Sequence, residues 1–504
     1  MKRRFIFSCF VFVYLLSVDR VLGQAGAGPV GNFEGHQDVG TVLHPGSTSY
    51  DAAKQSYMVM GSGDNMWFGM DDFQFAWKKM SGDVGISADI AFAGEKGNNH
   101  RKAVLMIRQS LDGNSPAVDI ARHGDGLTSL QFRDAAGADD HEVQSNVVGP
   151  QRVRLEKRGD YFYAFVSGPD GKLAPSGGST KLVLNGPFYV GIGVSAHDKD
   201  ATETAVFSNV KVETLEHSSA EKPVLYSTLE TVPIASTDRR VIYAARAHFE
   251  APNWSRDGSY FLFNQDGGIY QLTVNGGEPA RIPTDPQVKC NNDHGISPDG
   301  TMLAISDSTE TGNSMVYTLP IAGGTPKKIT PTGPSYWHGW SPDGSTLAFV
   351  GQRGDNFDIY SIPVNGGEEK RLTTAAGLDD GPEYSPDGQW IYFNSERTGH
   401  MQIWRMHPDG GSQEQVISDE TNDWFPHISP DGKWMTFVAF EKGVMGHPPD
   451  KDVTLNVMSL VDKKVKVLAK LFGGQGTNNV PSWSPDSKKV AFVSYEYLVP
   501  GTRE

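Results

Sequence analysis

The chain has 504 residues, 38% of them apolar, and a formal net charge of −15, which allows two or three domains with cores large enough to hold without staples. Nucleic acid is excluded as a partner, because affinity for it rests on neutralising phosphates with lysine and arginine, and here 60 acids face 45 bases with no basic cluster. Of the two cysteines, Cys9 falls in the apolar leader and Cys290 stands alone, so no intramolecular disulfide framework is expected.

The chain opens with Lys2-Arg3-Arg4, an apolar run from Phe5 to Val18, and Val21-Leu22-Gly23. This predicts a signal peptide over 1–23, cleaved after Gly23. The run is too short to span a bilayer comfortably, and no cysteine follows the cleavage point. The expectation is a periplasmic or secreted monomer with no integral membrane segment and a mature formal charge of −18.

Residues 30–215 predict an all-β first domain. Alternation is clear in Val84-Gly-Ile-Ser-Ala-Asp-Ile-Ala-Phe92, Val153-Arg-Leu-Glu-Lys157 and Tyr189-Val-Gly-Ile-Gly-Val-Ser195, and no stretch has a helical period with caps. Many short strands over this length imply a β-sandwich. The segments Gly61-Ser-Gly-Asp-Asn-Met-Trp67, Ser81-Gly-Asp83, Lys102–Ser110 and Phe207-Ser-Asn-Val210 resemble the concanavalin-like jelly-roll modules of secreted carbohydrate-active proteins. His100, Arg101, Lys102, Arg108 and His123 form a polar group among these strands, read either as a glycan contact or as surface ion pairs. A polar linker is expected over 216–223.

Beyond it a tetrapeptide recurs: Ser255-Arg-Asp-Gly258, Ser297-Pro-Asp-Gly300, Ser341-Pro-Asp-Gly344, Ser385-Pro-Asp-Gly388, Ser429-Pro-Asp-Gly432 and Ser484-Pro-Asp-Ser487, at steps of 42, 44, 44, 44 and 55 residues. A fixed period in this range marks a repeat architecture. Proline presets φ, aspartate tolerates the bridge region and glycine supplies positive φ, so each copy is a tight turn between two strands. Each repeat continues to a third strand, such as Asp358–Val364, a Gly-Gly turn and a fourth strand, which describes a propeller blade. The last repeat lacks its third and fourth strands after Tyr495. Val224–Leu229 and Arg240–Tyr243 can supply them, closing a six-bladed ring over 224–496 and removing open edges.

The repeat array resembles the propeller of TolB and its WD-like relatives over about 225–495. That resemblance implies a six-bladed fold. TolB itself carries an α/β domain ahead of its propeller, where this chain carries a different one, so a role in the Tol-Pal system is not implied.

In a meander blade the fourth-to-first and second-to-third connections share one face, and here that face carries the varied residues. Four histidines recur just ahead of the turns: His248, His294, His338 and His427. With Glu383 or Asp293 they form the candidate divalent-metal set, since imidazoles and a carboxylate on one axis can leave a position open. Some propeller-fold polysaccharide lyases resemble this arrangement. His338 and His427 against Asp379, Asp380 or Glu383 are the alternative, metal-free acid/base set. Trp337 and Trp424 are candidate stacking platforms, with Tyr336, Asp379, Arg353, Arg397 and Asn479 as polar or aromatic ligand contacts. Structural readings stand beside these: histidines capping strands, and tryptophans packing between blades, as expected for Trp254, Trp340 and Trp483. No Gly-x-Ser-x-Gly elbow, Walker loop or dinucleotide fingerprint is present. Three functions remain: a protein binding carbohydrate or a cell-envelope partner at the channel mouth with the sandwich as accessory module, a metal-assisted polysaccharide lyase or glycoside hydrolase, and a protein-interaction scaffold.

Overall fold

The computed structural model describes residues 28–216 and 222–499. The expected signal peptide and the centre of the expected linker, 217–221, lie outside the described residues. Every named element within them is a β-strand, as the lack of any capped helical period predicts.

The N-terminal part is built from two antiparallel sheets. One, eight-stranded, has Arg152–Arg158, Val84–Phe92, Asp198–Thr214 and Ser56–Gly63 at its centre; the other, ten-stranded, includes Phe73–Met80, Phe188–Ser195, Lys102–Arg108 and Ala117–His123. Alternate residues of both, such as Ile86, Leu155 and Phe207 from the first and Leu105, Ile120 and Ile192 from the second, meet in one buried cluster. The period-2 patterning puts apolar side chains on the facing surfaces, and burial of that area holds the sheets together. The polar group expected here closes on itself. Arg108 and Arg133 both pair with the buried carboxylate of Asp71 (3.3 and 2.7 Å), Lys102 Nζ donates to the Met66 carbonyl (2.7 Å), and Arg101 donates to that of Gly94.

Five four-stranded antiparallel sheets follow between Phe249 and Gly474. The recurrent turn forms as its chemistry requires. In all six copies the serine Oγ donates to the aspartate Oδ1 at 2.5–2.7 Å. The same serine then accepts the N–H five residues on, as in Thr346 to Ser341 (2.9 Å), and the closing residue has positive φ, Ser487 (60°) included.

The blade count differs from expectation: there are five independent four-stranded blades, not six. The strands expected to complete a sixth do pair, Lys489–Leu498 with Val224–Pro233 and that with Arg239–Ala245. They are not a separate sheet, because the outer edge of Arg239–Ala245 runs parallel to His141–Gln144 through Val143↔Arg239 and Gln144↔Arg240. These strands thereby become the end of the ten-stranded N-terminal sheet. An edge that would otherwise be an open template for association is thus covered within the chain. Lys181 Nζ on Asp452 (2.5 Å), the Tyr161 hydroxyl on the same carboxylate and His141 Nδ1 with Thr237 Oγ1 (2.6 Å) extend the contact.

Candidate functional site: the mouth of the propeller

The first strand of every blade carries a β-bulge just ahead of the turn: register shifts lie between Glu250 and Asn253, Cys290 and His294, Trp337 and Gly339, Asp380 and Glu383, and Trp424 and His427. A bulge leaves residues unpaired and re-aims their side chains. Ala251, Gly381 and Phe425 sit there with φ of 58°, 60° and 56°, each followed by a proline, which has no N–H to lose from the ladder.

The re-aimed residues line a cavity of about 570 Å³ that takes Glu250, Asp293, Tyr336, His338, Asp380 and Phe425 from five successive blades, together with His447, Gln475 and Asn479. His338 Nε2 lies 3.1 Å from Asp380 Oδ1, and His447 Nε2 lies 3.8 Å from Asp380 Oδ2. Burial opposes charge on His338, but the Asp293 and Asp380 carboxylates outweigh it and hold the imidazole above its usual pKa. Burial likewise opposes charge on Asp380, and His338 more than offsets it, leaving this carboxyl below the usual range. Asp293 is pushed up to about 6 by burial; its Oδ2 accepts from Asn291 (2.6 Å). Around them Asn292 donates to Glu250 (2.7 Å), His447 Nδ1 meets the Gln475 side chain, and the His447 ring stands edge-on to Phe425, 5.1 Å between centroids.

Of the residues expected to act, Asp293, His338, Asp380, Tyr336 and Asn479 line this cavity. The others do not. His294 is fully buried. His427 and Glu383 form a brace between neighbouring blades: His427 Nδ1 to Glu383 Oε2 at 2.5 Å, His427 Nε2 to the Asn478 carbonyl at 2.9 Å, and Glu383 Oε1 accepting the Ile428 N–H at 3.0 Å. Asn253 does the same for Ile296 (3.1 Å), so this first-strand position is an inter-blade tie, and its valences are spent. His248 is half-exposed at the rim, bonded to Glu250 (2.8 Å). The four histidines therefore do not converge. Among the described residues no three His, Cys, Asp or Glu side chains are grouped to hold a metal ion.

Trp337 and Trp424 are sealed in the blade cores rather than offered to a ligand. The indole of Trp337 fills the space where Gly295 of the preceding blade has no side chain; a Cβ there would fall 1.9 Å from its Cη2. Trp340 and Trp483 are inter-blade core as expected, their Nε1 groups donating to the Gly295 and His427 carbonyls. Arg353 is held by Glu369 (2.7 Å) and the Pro334 carbonyl. Arg397 is held by the buried Asp379 (3.0 Å) and Ser395. Neither arginine reaches the cavity, nor does Asp379. His447 and Gln475 were not singled out from the sequence. For His447 the only signal was the unusual length of the Gly443–Asp450 connection on the same face; Gln475, just past the strand that ends at Gly474, had none.

Blades of this construction define a β-propeller. The family model described as "TolB beta propeller domain" matches residues 338–461. An uncharacterized protein of Agrobacterium fabrum is 50% identical over 270 residues, 53% of this chain and 92% of that protein. A solved structure from Agrobacterium tumefaciens, provisionally named TolB, is similar at 49% identity with a TM-score of 0.53, covering 54% of this chain and 99% of that one. The chain belongs to the TolB-like β-propeller family.

Proposed function

We propose that this is a periplasmic or secreted binding protein of the cell envelope, whose propeller mouth receives a carbohydrate or a segment of an envelope partner. In this reading the Lys489–Leu498, Val224–Pro233 and Arg239–Ala245 strands serve as the sixth blade, and the N-terminal sheets, concanavalin-like in pattern, form an accessory binding module. The observation that carries it is the cavity itself: polar side chains from five blades converge with the Tyr336, Phe357 and Phe425 rings, the mix of few oriented polar groups and apolar walls that ligand sites have. Membership of the TolB-like family supports an envelope address.

The test is a panel of oligosaccharides and solubilised envelope proteins presented to immobilised protein. Wild type should retain a ligand, and Tyr336→Ala should weaken that retention by about tenfold or more. Equal retention by Tyr336→Ala and by Asp380→Asn would move the binding surface elsewhere. The His338 and Asp380 pair supports a second reading, proton transfer to a bound glycan. On that reading the panel shows cleavage that persists with chelator present and vanishes in His338→Ala.

A further inference from the structure

The charge of the mouth is one-sided. Among the described residues, three carboxylates line it, Glu250, Asp293 and Asp380, and no lysine or arginine does. Asp380 is matched by His338 and His447, and Glu250 by His248. Asp293 differs. It is 6% exposed, its hydrogen bond comes from an uncharged amide, and no basic side chain forms an ion pair with it among the described residues. The opposing charge it feels is that of His338, which is already paired with Asp380, and a buried carboxylate with only a shared counter-charge is costly unless something cationic completes it. The same cavity is lined by Tyr336, Phe357, Phe425, Leu378 and Val350, surfaces suited to methylenes and to the π-face attraction of a cation.

We propose that the mouth is selective for a protonated primary amine on an alkyl chain, with its ammonium against Asp293 and its methylenes along Phe357, Leu378 and Phe425. The chemistry is that of a lysine side chain or a free diamine, and it runs opposite to that of an acidic sugar. This deepens the mouth reading and rests on it. The groups that bear on the bound charge are Glu250, Asp293, Asp380, His338 and His447 at the wall, and His248 through Glu250. Acidification protonates His338, His248 and Asp293, and each of these changes weakens amine binding.

Calorimetric titration of the full chain at low salt tests it with four probes: cadaverine, N-acetyl-lysine methylamide, the diol isostere of cadaverine, and glutarate. At about pH 8 an amine should bind at least about tenfold more tightly than the diol, and glutarate should not bind. The tighter of the two amines identifies a free or a peptide-borne source. Affinity should fall on moving to about pH 5.5, and in Asp293→Asn it should fall by about tenfold or more. Glu250→Gln gives a smaller loss in the same direction, and provides the readout if Asp293→Asn does not fold. The proposal is overturned if neither amine binds, if glutarate binds as well as cadaverine, or if both variants keep wild-type affinity. Should glycans be retained in a Tyr336-dependent way while amines are ignored, the mouth remains the binding surface and only the amine selectivity falls. If nothing retained depends on Tyr336 or Asp380, both readings fall together.

Discussion

His294 and His338 occupy neighbouring blades at nearly the same place in the repeat, yet one is entombed and the other lines the mouth. The difference is register: His338 is the unpaired residue of its bulge, whereas His294 is already back in the ladder opposite Ile305. Burial holds the His294 pKa down to about 4, below the unfolded value near 6.5. The folded state therefore binds fewer protons than the unfolded one between those limits. The stability His294 confers is complete above about pH 6.5 and is lost as pH falls towards 4. In urea unfolding, the stability difference between wild type and His294→Asn should shrink by roughly 3 kcal/mol from pH 7 to pH 4; a difference that does not change with pH would refute the assignment. Residue identity at the mouth was legible from the sequence for Asp293, Tyr336, His338, Asp380 and Asn479. It was not legible for Trp337, Trp424, Arg353 or Arg397, because whether a large side chain faces a channel or a neighbouring blade depends on the gap next to it. The absent side chain at Gly295 that seats Trp337 is such a gap.

At the scale of elements, the turn and the bulge divide the work. The Ser-x-Asp turn is local chemistry, settled within six residues, and it was predictable copy by copy. The bulge is what builds the site, since it tips Asp380 and Phe425 inward, and it depends on backbone that only a fitted neighbour can hold. Gly381 shows how. Its φ is 60°, and an added Cβ would lie 2.6 Å from Asn394 Oδ1, the atom that accepts the Phe425 N–H at 3.0 Å. Gly381→Ala should cost about 1–3 kcal/mol and, by displacing Asn394, loosen Phe425 in the next blade. Thermal unfolding measures the first effect, and ligand affinity at the mouth the second. Unaltered melting would show that this backbone is not under the constraint described.

For the molecule as a whole, the decisive contact is the parallel pairing of His141–Gln144 with Arg239–Ala245, which makes one sheet out of strands from both halves. With Lys181 and Tyr161 on Asp452, it joins the N-terminal sheets to the propeller through backbone hydrogen bonds and charge-assisted ones, which are the stronger sort. The two halves should therefore unfold in a single calorimetric transition. Asp452→Ala combined with Arg239→Ala, which also releases the Ser179 carbonyl and Glu230, should split it in two. Two transitions already present in wild type would show the halves to be independent.

Three features could be read before any fold was in hand: that the chain is all-β, that its second half is a repeat of propeller type, and which face of the repeat carries the variable residues. Each of these follows from interactions a few residues long, namely alternation within a strand and turn chemistry within a tetrapeptide. Tertiary structure decided the rest. It chose His338, Asp380 and His447 as the polar heart of the mouth, turned Glu383 and His427 into a brace, and spliced the last propeller strands into the N-terminal sheet. Those outcomes depend on which side chain finds a partner or a void in a distant part of the chain, and such pairings exist only once the blades have closed around their axis.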